Sequence, residues 1–173
     1  MLTIASEKAL EQRKPTIFLT CRVHSGESPA QFILEGLTEK LTNFSELQSR
    51  ILLDNYVFKI IPNLNPDGVA RGSWRHDTHG TDMNRKYLNP SELLQPTILA
   101  AKEAILKEKN NLKMLVDIHA HCSKRGCFVY GNLSNEIEKQ VDSMLFPKLM
   151  SMNCKYFDFD SSHFLSSSEH STW

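Results

Sequence analysis

The sequence predicts an α/β fold, a mixed, largely parallel sheet flanked by helices. Three observations carry this expectation. Short apolar and β-branched runs alternate with amphipathic stretches along most of the chain. The runs are apolar nearly throughout, the pattern of strands covered on both faces. The polar clusters fall where these runs end, which is where open α/β sheets carry their sites.

The elements follow in order. Residues 15–23 (PTIFLTCRV) read as a first buried strand with Pro15 at its edge. Residues 29–42 place Phe32, Ile33, Gly36, Leu37 and Leu41 at helical spacing, with Ser28 in the N-cap position and Pro29 at the first helical position. Residues 45–53 predict a further helix or half-helix. Residues 56–61 (YVFKII) predict a second strand, which runs into the turn-rich stretch 62–68. A helix is expected over 91–109, capped by Ser91, with Ala100, Ala101, Ala104 and Ile105 on one face. Residues 113–118 and 126–131 read as a third and a fourth strand. Residues 135–153 are amphipathic, with Ile137, Val141, Leu145, Leu149 and Met152 on one stripe. The serine-dense tail 161–173 reads as a loop or frayed end.

Composition narrows the function. A chain of 173 residues has room for one ordinary domain. Lys+Arg and Asp+Glu both number 20, so the basic footprint of a nucleic-acid binder is missing. No apolar run approaches the length of a membrane span, and the N-terminus lacks the apolar stretch of a signal peptide. The four cysteines are too scattered for a disulfide framework. These features predict reduced thiols, no membrane contact and a cytoplasmic location.

Three clusters carry chemistry. His24 and Glu27, three apart at the end of the first strand, can face one point if the chain turns at Gly26, and imidazole with carboxylate suits zinc. Asp117, His119 and His121 alternate at the end of the third strand. One of these histidines would supply a third ligand, and a nearby carboxylate would hold its second ring nitrogen. The stretch 63–85 gathers Arg71, Arg75, Asn84 and Arg85, and arginine pairs naturally with carboxylates. Taken singly, the His24–Glu27 pair is weak evidence, the 117–121 cluster reads first as a strand end with solvated histidines, and 63–85 also reads as a solvated loop. Together they describe an open three-ligand zinc site beside a clamp for an anionic group.

The motifs HSGE at 24–27, NLNPDGV at 63–69, WR at 74–75, DMNR at 82–85 and DIHAH at 117–121 resemble those of the M14 metallocarboxypeptidases. Within them the chain resembles the cytosolic carboxypeptidases that trim glutamates from tubulin tails. SKRGCFVYGN at 123–132, MLFPKLMSMN at 144–153 and FDF at 157–159 point to the cytosolic carboxypeptidase 5 group, associated with branch-point glutamate. The resemblance covers residues 15–160. It implies one zinc ion held by His24, Glu27 and His119. It implies that Arg75 polarises the scissile carbonyl and stabilises the oxyanion, and that Asn84 and Arg85 bind the substrate's C-terminal carboxylate. His121 matches no ligand position, and Arg71 ranks below Arg75.

The resemblance also implies a reaction and a partner. These are removal of C-terminal or branch-point glutamate from polyglutamylated proteins such as tubulin, in the cytoplasm and in association with microtubules. Lys124, Arg125, Arg71 and Lys86 are candidate cations for an acidic substrate. The family's general-base glutamate and pocket tyrosine come after DIHAH, and no matching segment precedes Trp173. Glu169, in SSSEHSTW, does not resemble the base-bearing strand. The cytosolic branch also carries a β-rich domain ahead of the catalytic one. The expectation is therefore a partial catalytic domain over 1–173, incomplete at both ends, with a divergent tail at 161–173 and impaired catalysis. The alternative function is a chain that binds zinc or acidic tails without cleaving them. Deacylation of small N-acyl amino acids, as in aspartoacylase-like relatives, is a third reading, against which the NPDG and KRGCFVYGN contexts speak.

Overall fold

The computed structural model describes residues 1–165. The chain forms two compact units, Met1–Ala120 and a second beginning at His121. The first unit runs β1 (Leu2–Ile4), α1 (Glu7–Glu11), β2 (Thr16–Cys21), α2 (Ser28–Thr42), α3 (Leu47–Asn55), β3 (Val57–Ile61), α4 (Pro66–Ala70), a 3₁₀ turn (Met83–Arg85), α5 (Pro96–Lys107) and β4 (Leu112–Ile118). Its strands form one sheet in the order β1-β3-β2-β4. β2 runs parallel to both β3 and β4, and β1 runs antiparallel to β3. This is the mixed, largely parallel sheet that the apolar runs predicted.

Successive strand residues face opposite sides, so the sheet feeds two cores. Ile60 packs with Leu19, Cys21, Leu34 of α2 and Leu53 of α3. Its neighbour Ile61 packs against Val23, Leu64, and Ile98 and Ala101 of α5. Helices on both faces explain why five of the six β2 residues are fully buried.

The structure corrects several boundaries. Ser28 is the first residue of α2, and Glu27 occupies the N-cap position without capping the helix. Its carboxylate is turned elsewhere, as described below. α5 begins at Pro96, because the residue before a proline is pushed out of the helical region. Gln95 accordingly has φ −129° and ψ 53°. Ser91 instead caps a turn, its Oγ accepting from the Leu94 N–H at 3.2 Å. β1 and α1 were not anticipated. Their three- and five-residue lengths are too short for a periodicity to register.

In the second unit, β5 (Tyr130–Asn132) pairs in parallel with β6 (His163–Leu165), and α6 (Ile137–Asn153) lies between them in sequence. The strand expected over 126–131 is reduced to β5 and an isolated bridge from Cys127 to Phe157. Gly126, at φ +78°, turns the chain where that strand would have begun. The apolar stripe of α6 is exposed, Ile137 at 81% and Met152 at 73%. β6 also replaces part of the expected loop at 161–173. The remainder of that tail, with Glu169, lies outside the described residues. Among the described residues no helix is long and apolar enough to cross a membrane.

Candidate metal centre

The site forms where β2 and β4 end side by side. After Cys21 the chain leaves the sheet through Arg22, a non-glycine residue at φ +57°. The Arg22 guanidinium steadies this left-handed step by donating from Nη2 to the Ser25 carbonyl at 2.6 Å. The turn that follows brings His24 and Glu27 to one point.

Both histidines converge on Glu27. His24 Nδ1 lies 2.8 Å from Glu27 Oε1, and His119 Nδ1 lies 3.0 Å from Glu27 Oε2. The Ala120 N–H donates to the same Oε2 at 2.9 Å. Each ring gives its other nitrogen to an outer carboxylate. His24 Nε2 is 3.1 Å from Asp82 Oδ1, and His119 Nε2 is 2.7 Å from Asp117 Oδ2. The ring centroids are 5.1 Å apart. Ligand atoms of His24, Glu27 and His119 lie within 4.8 Å of one another, the single potential metal group among the described residues.

The donor set fits a cation. An imidazole that donates from Nε2 to a carboxylate presents, when neutral, a lone pair at Nδ1. Here two such nitrogens face a carboxylate, an acceptor against acceptors, so a positive charge must sit between them. Glu27, Asp82 and Asp117 stand against one guanidinium, Arg75, which leaves two negative charges with both imidazoles neutral. One zinc ion balances them. Without the ion, His119 favours its protonated form. Burial disfavours the His119 cation, but hydrogen bonds to Asp117 and Glu27 outweigh it and raise its pKa to about 10. Burial pushes Glu27 up, yet hydrogen bonds from His119, His24 and Ala120 hold it well below the ordinary carboxylate range.

Asp82 organises the second half of the site. Burial would raise its pKa, but Arg75 and His24 prevail and keep it lowered. Its Oδ2 accepts from Arg75 Nε at 3.0 Å and Nη2 at 2.8 Å. Its Oδ1 accepts the Asn84 N–H at 3.0 Å, so it also caps the 3₁₀ turn that carries Asn84 and Arg85. Asn84 is buried, and its Oδ1 has no hydrogen-bond partner among the described residues. Arg85 is exposed at the end of that turn.

The structure thus brings His24, Glu27 and His119 together, and Asp82 ties Arg75 and the Asn84 backbone to His24. Arg71 is exposed at the C-cap of α4, and Lys86 follows the 3₁₀ turn. Lys124 and Arg125 belong to the second unit, where Lys124 Nζ donates to the Ser161 carbonyl at 3.0 Å. His121 does not continue the alternation of Asp117 and His119, because β4 ends at Ile118. It is exposed, and its Nδ1 accepts from the Lys124 N–H at 3.2 Å. Sequence reasoning missed Asp82 and Asn65. Asp82 opens the DMNR motif at 82–85, but nothing in the local sequence assigns it a partner. Asn65 Nδ2 donates to the carbonyls of Val23 and His76, joining the His24 segment to the Arg75 segment.

Comparison with known proteins agrees with this geometry. The family model described as zinc carboxypeptidase matches residues 1–155. Cytosolic carboxypeptidase 6 of Mus musculus is 38% identical over 170 residues, covering 95% of this chain and 31% of that protein. Cytosolic carboxypeptidase-like protein 5 of Homo sapiens is 29% identical, covering 87% of this chain and 27% of that protein. The chain therefore spans about a third of the length of these curated relatives. A crystal structure of a metallo-carboxypeptidase from Burkholderia cenocepacia superposes with a TM-score of 0.86 at 26% identity, over 99% of this chain and 46% of that one.

Proposed function

The chain belongs to the zinc carboxypeptidase family, and on that premise we propose that it carries the metal- and carboxylate-binding half of a metallocarboxypeptidase acting on C-terminal glutamate. The observation behind this reading is the convergence of His24 and His119 on Glu27, with each outer ring nitrogen given to a carboxylate. His24, Glu27 and His119 hold the ion. Zinc, when bound, supplies a Lewis acid at that point. Asp82 and Asp117 fix the ring orientations.

Arg75 directs its guanidinium by two bonds to Asp82, and its remaining N–H groups serve an oxyanion or carboxylate of the substrate. Asn84 and Arg85 bind the terminal carboxylate, which restricts the reaction to chain ends. Relatives named cytosolic carboxypeptidases support placing the protein in the cytoplasm. Polyglutamylated tails such as those of tubulin are the proposed substrates.

One observation favours the second reading, binding without cleavage. Among the described residues, every carboxylate of the cluster is committed. Glu27 serves the two histidines, Asp82 serves His24 and Arg75, and Asp117 serves His119 and Thr20. None is left to take a proton from water.

The test is glutamate release from a C-terminal oligoglutamate peptide by the zinc-loaded chain, with Glu27→Ala as control and small N-acyl amino acids as competing substrates. Peptide cleavage absent from the control supports the carboxypeptidase. Peptide binding without cleavage supports the second reading. Turnover of only the N-acyl amino acids contradicts both.

A further inference from the structure

We infer that Thr20 and Asp117 form a positioning pair that aims His119 at the metal; the inference rests on the zinc reading above. The pair is a product of sheet register. β2 and β4 run parallel with Thr20 directly opposite Asp117. Thr20 is fully buried and donates from Oγ1 to Asp117 Oδ1 at 2.7 Å. The other oxygen, Oδ2, takes the His119 ring at Nε2, also at 2.7 Å. His119 follows Ile118, the last residue of β4, and its ring meets the Asp117 carboxylate two residues back. Ile118 between them points into the core formed with Leu19 and Ile60.

One Asp117 oxygen therefore takes Thr20 and the other takes His119, and each partner has a different job. Thr20 fixes the rotation of the carboxylate. The carboxylate in turn fixes the ring, leaving Nδ1 as the nitrogen that faces Glu27. A metal-ligating histidine needs this assignment, because the hydrogen bond at one ring nitrogen decides which nitrogen is free for the metal. Asp82 performs the same service for His24 but also holds Arg75 and the Asn84 turn. Asp117 bonds Thr20 and His119, so its contribution can be read by substitution.

The experiment measures zinc affinity of this chain by competition with a chromophoric chelator, in the wild type, D117A, T20V and the double variant. Metal-free thermal unfolding is recorded alongside. Valine keeps the β-branched shape of Thr20 and removes only the donor. D117A is expected to weaken zinc binding about 10–100-fold, the usual loss for an outer partner of a ligand. T20V weakens it less, and in the D117A background it weakens it no further. That non-additivity separates a relay from two independent stability effects.

Equal zinc affinity in D117A and wild type overturns the pair, as does a T20V effect that is the same in both backgrounds. Should D117A fail to fold, the near-isosteric D117N carries the test, and unchanged affinity there overturns the proposal. A wild-type chain that binds no zinc overturns the metal centre itself and the pair with it.

Discussion

Gly26 and Trp74 meet backbone to backbone: the Gly26 N–H donates to the Trp74 carbonyl at 2.7 Å, and a Cβ on Gly26 would lie 2.4 Å from that oxygen. The contact ties the turn between His24 and Glu27 to the segment that carries Arg75. No flexible side chain can give way, because the obstacle is backbone. Gly26→Ala must therefore push the two segments apart. It is expected to cost about 1–3 kcal/mol of stability, as overpacking does elsewhere. Denaturant unfolding of the metal-free chain reads this directly, and stability equal to the wild type would refute it.

A second tie between the same segments is Asn65. It is buried, its Oδ1 accepts the Gly68 N–H at 3.0 Å, and its Nδ2 donates to the Val23 and His76 carbonyls at 3.3 and 3.2 Å. Asn65→Ala leaves these groups without partners, at about 1–3 kcal/mol for each that stays buried. The exposed Asn89→Ala is the control and should stay within about 0.5 kcal/mol of wild type. Similar unfolding midpoints for both variants would show that Asn65 holds nothing.

Zinc should stabilise the chain by mass action. At a free concentration of 100 times the dissociation constant the gain is about 2.7 kcal/mol. Glu27→Ala removes the carboxylate on which both histidines converge and should abolish the gain. Thermal melts with zinc and with a chelator make the comparison. An equal zinc-dependent shift in Glu27→Ala would place the ion elsewhere.

Acid stability depends in part on a pair far from the metal. Glu108 is held below its ordinary pKa of 4.5, chiefly by its hydrogen bond from Lys59 and further by one from Thr16. A carboxylate lowered on folding adds stability above its unfolded pKa, and that stability is lost as pH falls through the folded value. Lys59→Met should therefore flatten the decline of stability below about pH 4.5 relative to wild type. Parallel pH profiles for the two proteins would remove Glu108 from the acid response.

The sheet was legible because β2 and β3 are largely buried and β4 partly so, and continuous apolar runs record that directly. His24, Glu27 and His119 were legible because they stand at the ends of those runs. What the sequence left hidden came from pairings between distant segments. Asp82 reads locally as a turn former, and its bond to His24 exists only once residues 58 positions apart meet. Thr20 looks like an ordinary strand threonine until the register sets it against Asp117. The α5 start was misplaced for a local reason, since Ser91 resembles an N-cap while Pro96 determines where the helix can begin.

One zinc ion held by His24, Glu27 and His119 is the proposed centre of this molecule. Anomalous diffraction from zinc-soaked crystals of this chain, recorded on both sides of the zinc absorption edge, tests it most directly. One anomalous peak is expected about 2.0–2.2 Å from His24 Nδ1, His119 Nδ1 and a Glu27 oxygen. A peak bound to other side chains, or none at these three residues in fully soaked crystals, would contradict it.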